Sequence, residues 1–168
     1  MKITEDIPLI YDDTDLSCVQ SKYSKDEQKI IDTALSIMDS KIKGSSPMTS
    51  SSEVKDYLKL KLRDEEREIF SVLLLDIGHE VIKYQPLFYG TLDKSTVYPR
   101  EIVKSVMRAN AAAVILVHNH PSGRSNPSES DKHITNRVKE ALDLIDVRVL
   151  DHFIVGNATV SFTEQGLL

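Results

Sequence analysis

The chain has 168 residues, 40% of them hydrophobic and 28% charged, with a formal net charge of −5 and a single cysteine. That length can bury a core without external staples, and one cysteine excludes an intramolecular disulfide and suits a reducing compartment. The negative charge excludes broad, sequence-independent affinity for nucleic acid, which depends on cations neutralising phosphates. The N-terminus Met1-Lys2-Ile3-Thr4-Glu5-Asp6 has no basic start leading into a long apolar segment, and no stretch reaches membrane-spanning length. The expected setting is the cytoplasm, with no membrane partner.

Residues 1 to 23 mix acidic and polar side chains without periodicity and read as an arm, Cys18 being an ordinary thiol within it. Ser24-Lys25-Asp26-Glu27 is a capping-box pattern. Ile30, Ile31, Ala34, Leu35, Met38 and Ile42 follow at helical spacing, which predicts an amphipathic helix ending near Gly44. A turn-rich segment, 44 to 52, leads to a second start signal at Ser50 to Glu53. Val54, Tyr57, Leu58 and Leu60 then carry a second helix to about Arg63.

The pattern changes at Ile69-Phe70-Ser71-Val72-Leu73-Leu74-Leu75, a short apolar run bounded by charge and Gly78, which predicts a buried strand with residues 80 to 89 as its hairpin partner. Pro99 in a first turn, with Ile102, Val103, Val106 and Met107 behind it, predicts a helix leading into a strand over residues 111 to 117. Ile134, Val138, Ala141, Leu142 and Leu144 predict a helix over 128 to 144, and strands over 147 to 155 and 159 to 162 complete the chain. No internal repeat is present. Strands interleaved with helices around one sheet point to α/β or α+β. The organisation expected is an N-terminal arm and helix, 1 to 49, followed by a domain over 50 to 168.

The chemistry concentrates directly after the 111 to 117 run, in His118-Asn119-His120-Pro121-Ser122-Gly123 and, further on, Ser128-Glu129-Ser130-Asp131. Two imidazoles two residues apart on a strand project from one face, and Asn119 points the other way. If His118, His120 and Asp131 hold Zn2+, three protein ligands leave one position open for water, the pattern of catalytic zinc. A further carboxylate must take the proton of that water and return it to a leaving amine. The candidates are Glu65, Glu66 and Glu68 before the first strand and Glu101 after Pro99. Glu68 stands out because it opens the strand, where packed backbone could hold it. The Ser128 hydroxyl could donate to the oxyanion that forms when a carbonyl is attacked.

This set resembles the JAMM (MPN-plus) metalloprotease motif of a Glu, then His-x-His, seven residues, Ser, two residues and Asp. The string His-Asn-His-Pro-Ser-Gly is similar to the RadC branch of that family. Further features of that branch are Glu68-x-Phe70, Leu75-Asp76, Phe88-x-Gly90, Pro99-Arg100-Glu101, Asp151-His152 and Ser161-Phe162, so that about residues 50 to 168 are covered. The resemblance implies a cytidine-deaminase-like α/β/α sandwich with a mixed central sheet. It also implies a zinc-bound water, hydrolysis of peptide or isopeptide amides in a peptide or protein substrate, and Glu68 as the catalytic carboxylate. RadC relatives often carry a helix-hairpin-helix element associated with DNA. Residues 1 to 49 show no glycine-rich hairpin of that kind, so nucleic acid is not an expected partner of this chain alone.

Each residue also has a plainer role. Ser128 to Asp131 satisfies an N-cap pattern and can simply start a helix. Glu68 closes the charged run Asp64-Glu65-Glu66-Arg67-Glu68, the usual composition of a solvated surface. Glu101 suits the first turn of a helix, His79 an exposed hairpin, and His133 and His152 surface or core packing. Two other functional readings stand beside the hydrolase: an interaction module in which the metal only holds a binding surface, and a DNA-associated factor. A homodimer is compatible with the sheet edges and demanded by nothing.

Overall fold

The computed structural model describes residues 23–42, 51–62, 64–90 and 97–168. The expectations for the arm over residues 1 to 22, for Cys18 and for most of the turn segment fall outside these. The chain divides into two units, Met1–Thr33 and Ala34–Leu168. Helix α1, Lys25–Ile42, runs through the division. Its start is the capping box read from the sequence: the Ser24 backbone N–H and hydroxyl donate to Glu27 Oε2 at 2.8 and 2.7 Å.

The second unit is α/β. After α2 (Ser51–Leu62) come β1 (Ile69–Leu75), β2 (Val81–Tyr89), α3 (Pro99–Ala109), β3 (Ala113–Asn119), α4 (Glu129–Asp143), β4 (Arg148–Val155) and β5 (Thr159–Ser161). The strands form one mixed sheet in the order β2-β1-β3-β4-β5. β1 lies antiparallel to β2 and β3, β3 parallel to β4, and β4 antiparallel to β5.

The continuous apolar runs of β1 and β3 follow from this order. Both are central strands, every residue of each is buried, and a strand covered on both faces has no use for alternation. One face carries Leu73, Leu75, Ile115, Val117, Phe153 and Val155 against Val54, Tyr57, Leu58 and Leu62 of α2. The other carries Phe70, Val72, Leu74, Val114 and Leu116 against Ile102 and Val106 of α3 and Val138 and Leu142 of α4. Helices therefore cover both faces of a mixed sheet. β2 is an edge strand, buried only at Val81 and elsewhere exposed or half-buried, and it tolerates Pro86, which cannot donate to a ladder.

The expected strand over residues 111 to 117 is displaced by two. The Ala111 N–H is used by the Val106 carbonyl at 3.1 Å, which closes α3 behind Asn110 in the left-handed conformation (φ 51°), a conformation that Asn tolerates better than most residues. Ala111 thus ends a helix turn, while Ala112 already bonds to the end of β1, its N–H donating to the Leu75 carbonyl at 2.8 Å. At the other end the ladder runs on through His118, which pairs with Phe70 and Ile154, to Asn119, which pairs with Val155. His118 belongs to the strand, where the sequence reading put it just beyond.

Candidate metal centre

The site sits where β3 ends. Strand alternation turns His118 and His120 to the face covered by α3 and α4, and their Nε2 atoms lie 2.8 Å apart. Two imidazole nitrogens reach that separation only with a proton or a cation between their lone pairs. The loop behind them fixes one ring. His120 Nδ1 lies 2.8 Å from the Arg124 carbonyl oxygen, and a carbonyl only accepts, so Nδ1 carries a hydrogen and Nε2 is turned inward.

The loop takes this path because glycine permits it. Gly123 has φ 78°, and a Cβ there would meet the Asn157 side chain at 2.7 Å. At Gly156 a Cβ would meet the carbonyl oxygens of Gly123 and Arg124 at 2.7 Å. The loop is laced to the β4–β5 turn through His120 N–H to Val155 O, Asn157 N–H to Gly123 O and Ala158 N–H to Ser125 Oγ, each 2.9 Å.

Asp131 arrives from the first turn of α4. Ser128 is the N-cap: the Asp131 N–H donates to its Oγ at 3.2 Å, while its own N–H and hydroxyl donate to Asp131 Oδ2 at 2.7 and 2.6 Å. The helix-starting role of Ser128 to Asp131 is therefore present, and it aims the carboxylate at the histidines. Asp131 Oδ1 lies 3.3 Å from His118 Nε2 and Oδ2 3.7 Å from His120 Nε2. Burial would raise the Asp131 carboxyl, but His118 and the Ser128 donors outweigh it and hold it well below the usual range. The three side chains offer ligand atoms all within 4.8 Å of one another, the one such group among the described residues. Two neutral imidazoles and an ionised carboxylate suit a divalent metal ion, and they could hold one here.

A layer that the sequence reading left out lies behind the ligands. His152, on β4, is fully buried. Its Nε2 is 2.9 Å from His118 Nδ1 and its Nδ1 is 2.6 Å from the Thr135 hydroxyl. Surface or core packing was expected of His152 ahead of support behind the ligands, and it does pack against Phe162 and Phe70. It also touches a candidate ligand, which only the β3–β4 pairing and α4 above it bring about. Burial, and then the neighbouring His118, push its pKa well down, which keeps the ring neutral.

The carboxylate candidates separate. Glu101 pairs with Lys104 at 2.8 Å in the first turn of α3, and His133 is exposed. His79, expected to be exposed, is half-buried and lies 2.7 Å from Arg148 Nη2. Glu65 lines a hollow of about 310 Å³ on the α2 side, together with Lys59, Asn119 and His120, where burial raises its pKa. Glu68 is half-buried while the rest of its charged run is exposed. It stands outside the three-residue cluster, but continuing the β1–β3 register two residues past Phe70 and His118 sets it opposite His120, on the same face. Asn119, turned to the opposite face, ties this segment down: its Oδ1 accepts from the Ile69 N–H at 2.7 Å, and its Nδ2 donates to the Arg67 carbonyl at 2.9 Å. A groove of about 580 Å³ lined by His120, Ser122, Arg124, Ser125, Asn126 and Ser128 opens onto the cluster.

Comparison with known proteins agrees with this architecture. Residues 48–167 match the family model described as RadC-like JAB domain. The chain is 56% identical over 123 residues to a UPF0758 protein of Aeromonas hydrophila and 57% identical over 122 residues to one of Tolumonas auensis, covering 73% and 72% of this chain. It spans about half the length of those two relatives, 55% and 54%. With a UPF0758 protein of Vibrio cholerae it shares 46% identity over 149 residues, which cover 89% of this chain and 94% of that protein. The chain belongs to the family of RadC-like JAB domains.

Proposed function

We propose that the chain is a zinc-dependent hydrolase of peptide or isopeptide amides, with His118, His120 and Asp131 as the metal ligands. The observation that carries this reading is the pair of Nε2 atoms 2.8 Å apart beside an ionised carboxylate, with His120 held by its Nδ1 so that Nε2 faces inward. Bound there, Zn2+ would supply a Lewis acid and a water acidified to a pKa of about 7.

Glu68 takes the proton of the attacking water and returns it to the leaving amine, general-base then general-acid work. Its place opposite His120 in the strand register supports that role. Ser128 serves two ends. Its hydroxyl proton rests on Asp131 Oδ2, so donating to an oxyanion means exchanging that bond, and the Ser128 N–H stays on Oδ2 to keep the ligand aimed. The groove at His120 and Ser128 is open and lined by polar residues, in keeping with an extended peptide or protein segment as substrate.

The experiment is metal content by mass spectrometry for wild type, His118→Ala and His120→Ala, followed by Glu68→Gln. Wild type should hold about one zinc and the histidine variants almost none, while Glu68→Gln keeps zinc and loses hydrolysis by at least the ~10²-fold typical of a general base. Wild-type protein without metal would remove the centre, and a fully active Glu68→Gln would remove Glu68 from the mechanism.

A further inference from the structure

We infer that His152 and Thr135 are positioning residues: they lock the His118 ring in the tautomer whose Nε2 lone pair faces Asp131 and His120. The lock is a directed chain of hydrogen bonds, and each proton in it has one place to be. The Thr135 oxygen lies 2.6 Å from the Asp131 main-chain carbonyl. A carbonyl carries no hydrogen, so the single hydroxyl proton of Thr135 occupies that contact.

With its proton spent, Thr135 Oγ1 can only accept from His152, 2.6 Å away, and His152 Nδ1 bears the hydrogen. His152 is fully buried among aromatic rings, and burial disfavours a charged ring, so its Nε2 is the acceptor. The contact of 2.9 Å to His118 then requires the hydrogen to sit on His118 Nδ1. What is left on His118 is the Nε2 lone pair, pointing at the Asp131 carboxylate and His120.

The chain begins and ends on candidate ligands. It starts at the main-chain carbonyl of Asp131, one helical turn before Thr135, and finishes on the ring of His118, so two ligands from different elements are braced through the interior. Thr135, His152 and His118 are 1%, 0% and 1% exposed, and water has no access to scramble the order. Metal-bound histidines commonly donate their second N–H to a carboxylate or carbonyl, which has one possible sense. Here the acceptor is a second imidazole, which could point either way, and the sense is imposed by a threonine that touches no ligand side chain.

The tautomer stands on these contacts alone, whereas its consequence for metal affinity rests on the metal-site reading. Nitrogen-15 NMR of histidine-labelled protein, first metal-free and then with zinc added, separates the two. His118 should carry its hydrogen on Nδ1 in wild type. Thr135→Val should release His152 to turn over and move the His118 hydrogen to Nε2, and zinc titration of that variant should show affinity about 10- to 100-fold weaker. Thr135→Ser should restore both. A wild-type spectrum with the His118 hydrogen on Nε2 overturns the inference and needs no variant to fold. A folded Thr135→Val protein with unchanged tautomer and unchanged zinc affinity overturns it as well. The expected wild-type tautomer in protein that takes up no zinc supports the lock and defeats the metal reading.

Discussion

Asn119 is the residue between the two histidines, and the strand's alternation gives it the opposite duty. While His118 and His120 face the α3 and α4 side, its amide closes bonds to Ile69, Arg67 and, at 3.4 Å, Glu65. It thereby fixes the backbone on both sides of Glu68. Asn119→Ala leaves the buried Ile69 N–H without its acceptor, a loss that costs ~1–3 kcal/mol. Urea denaturation should register that destabilisation, and zinc affinity should be unchanged, since no ligand is touched. A loss of affinity greater than the loss of stability would place Asn119 with the ligands. The three candidate ligands were legible in the sequence because their geometry is local: two alternate positions at the end of one strand and a capping box at fixed distance. His152, Thr135 and the Arg124 carbonyl were not. Their roles depend on which ring nitrogen faces which neighbour, and that is set by β4 pairing with β3 beneath α4, across 34 residues of chain between His118 and His152.

Among the elements, the strands were readable wherever burial on both faces left an unbroken apolar run, as in β1. The start of β3 was not, because Ala111 is apolar for a different reason: it is buried at the close of α3, where its N–H completes a helical turn. Composition cannot tell a buried cap from a buried strand. The loop from His120 to Ser128 and the β4–β5 turn form one braced unit, and Gly156 is its tightest point. Gly156→Ala drives a methyl into two backbone carbonyls, overpacking of the kind that costs ~1–3 kcal/mol. Because one of those carbonyls holds the His120 ring, zinc affinity should fall along with the melting temperature. Gly166→Ala is the control: φ is 67° but nothing lies within 4 Å, so it should cost backbone strain alone and leave zinc affinity intact. Equal effects of the two substitutions on affinity would show that the turn does not brace the loop.

For the molecule as a whole, the antiparallel β1–β3 pair beside the parallel β3–β4 pair gathers one end of the sheet into a single place. The start of β1, the end of β3 and the end of β4 all meet there, next to the first turn of α4. The candidate ligands come from an already folded frame, so a metal bound there should add to the stability of a protein that folds without it, by about 2.7 kcal/mol at a free concentration one hundred times Kd. A metal-free chain that is unfolded by circular dichroism would contradict this.

The central position of β3 also determines how the site can be opened. Leu116, Val117 and His118 are fully buried with neighbours on both sides, so their amides exchange with solvent deuterium only when the whole sheet comes apart. The His120 to Ser128 loop, held mainly by contacts to a turn, can open by itself. In hydrogen exchange the two histidines, two residues apart, should therefore fall on opposite sides of a boundary, His118 among the slowest amides of the chain and His120 several orders of magnitude faster. One candidate ligand is bolted to the frame and the other rides on its hinge, so an ion held between them would enter or leave by way of the loop.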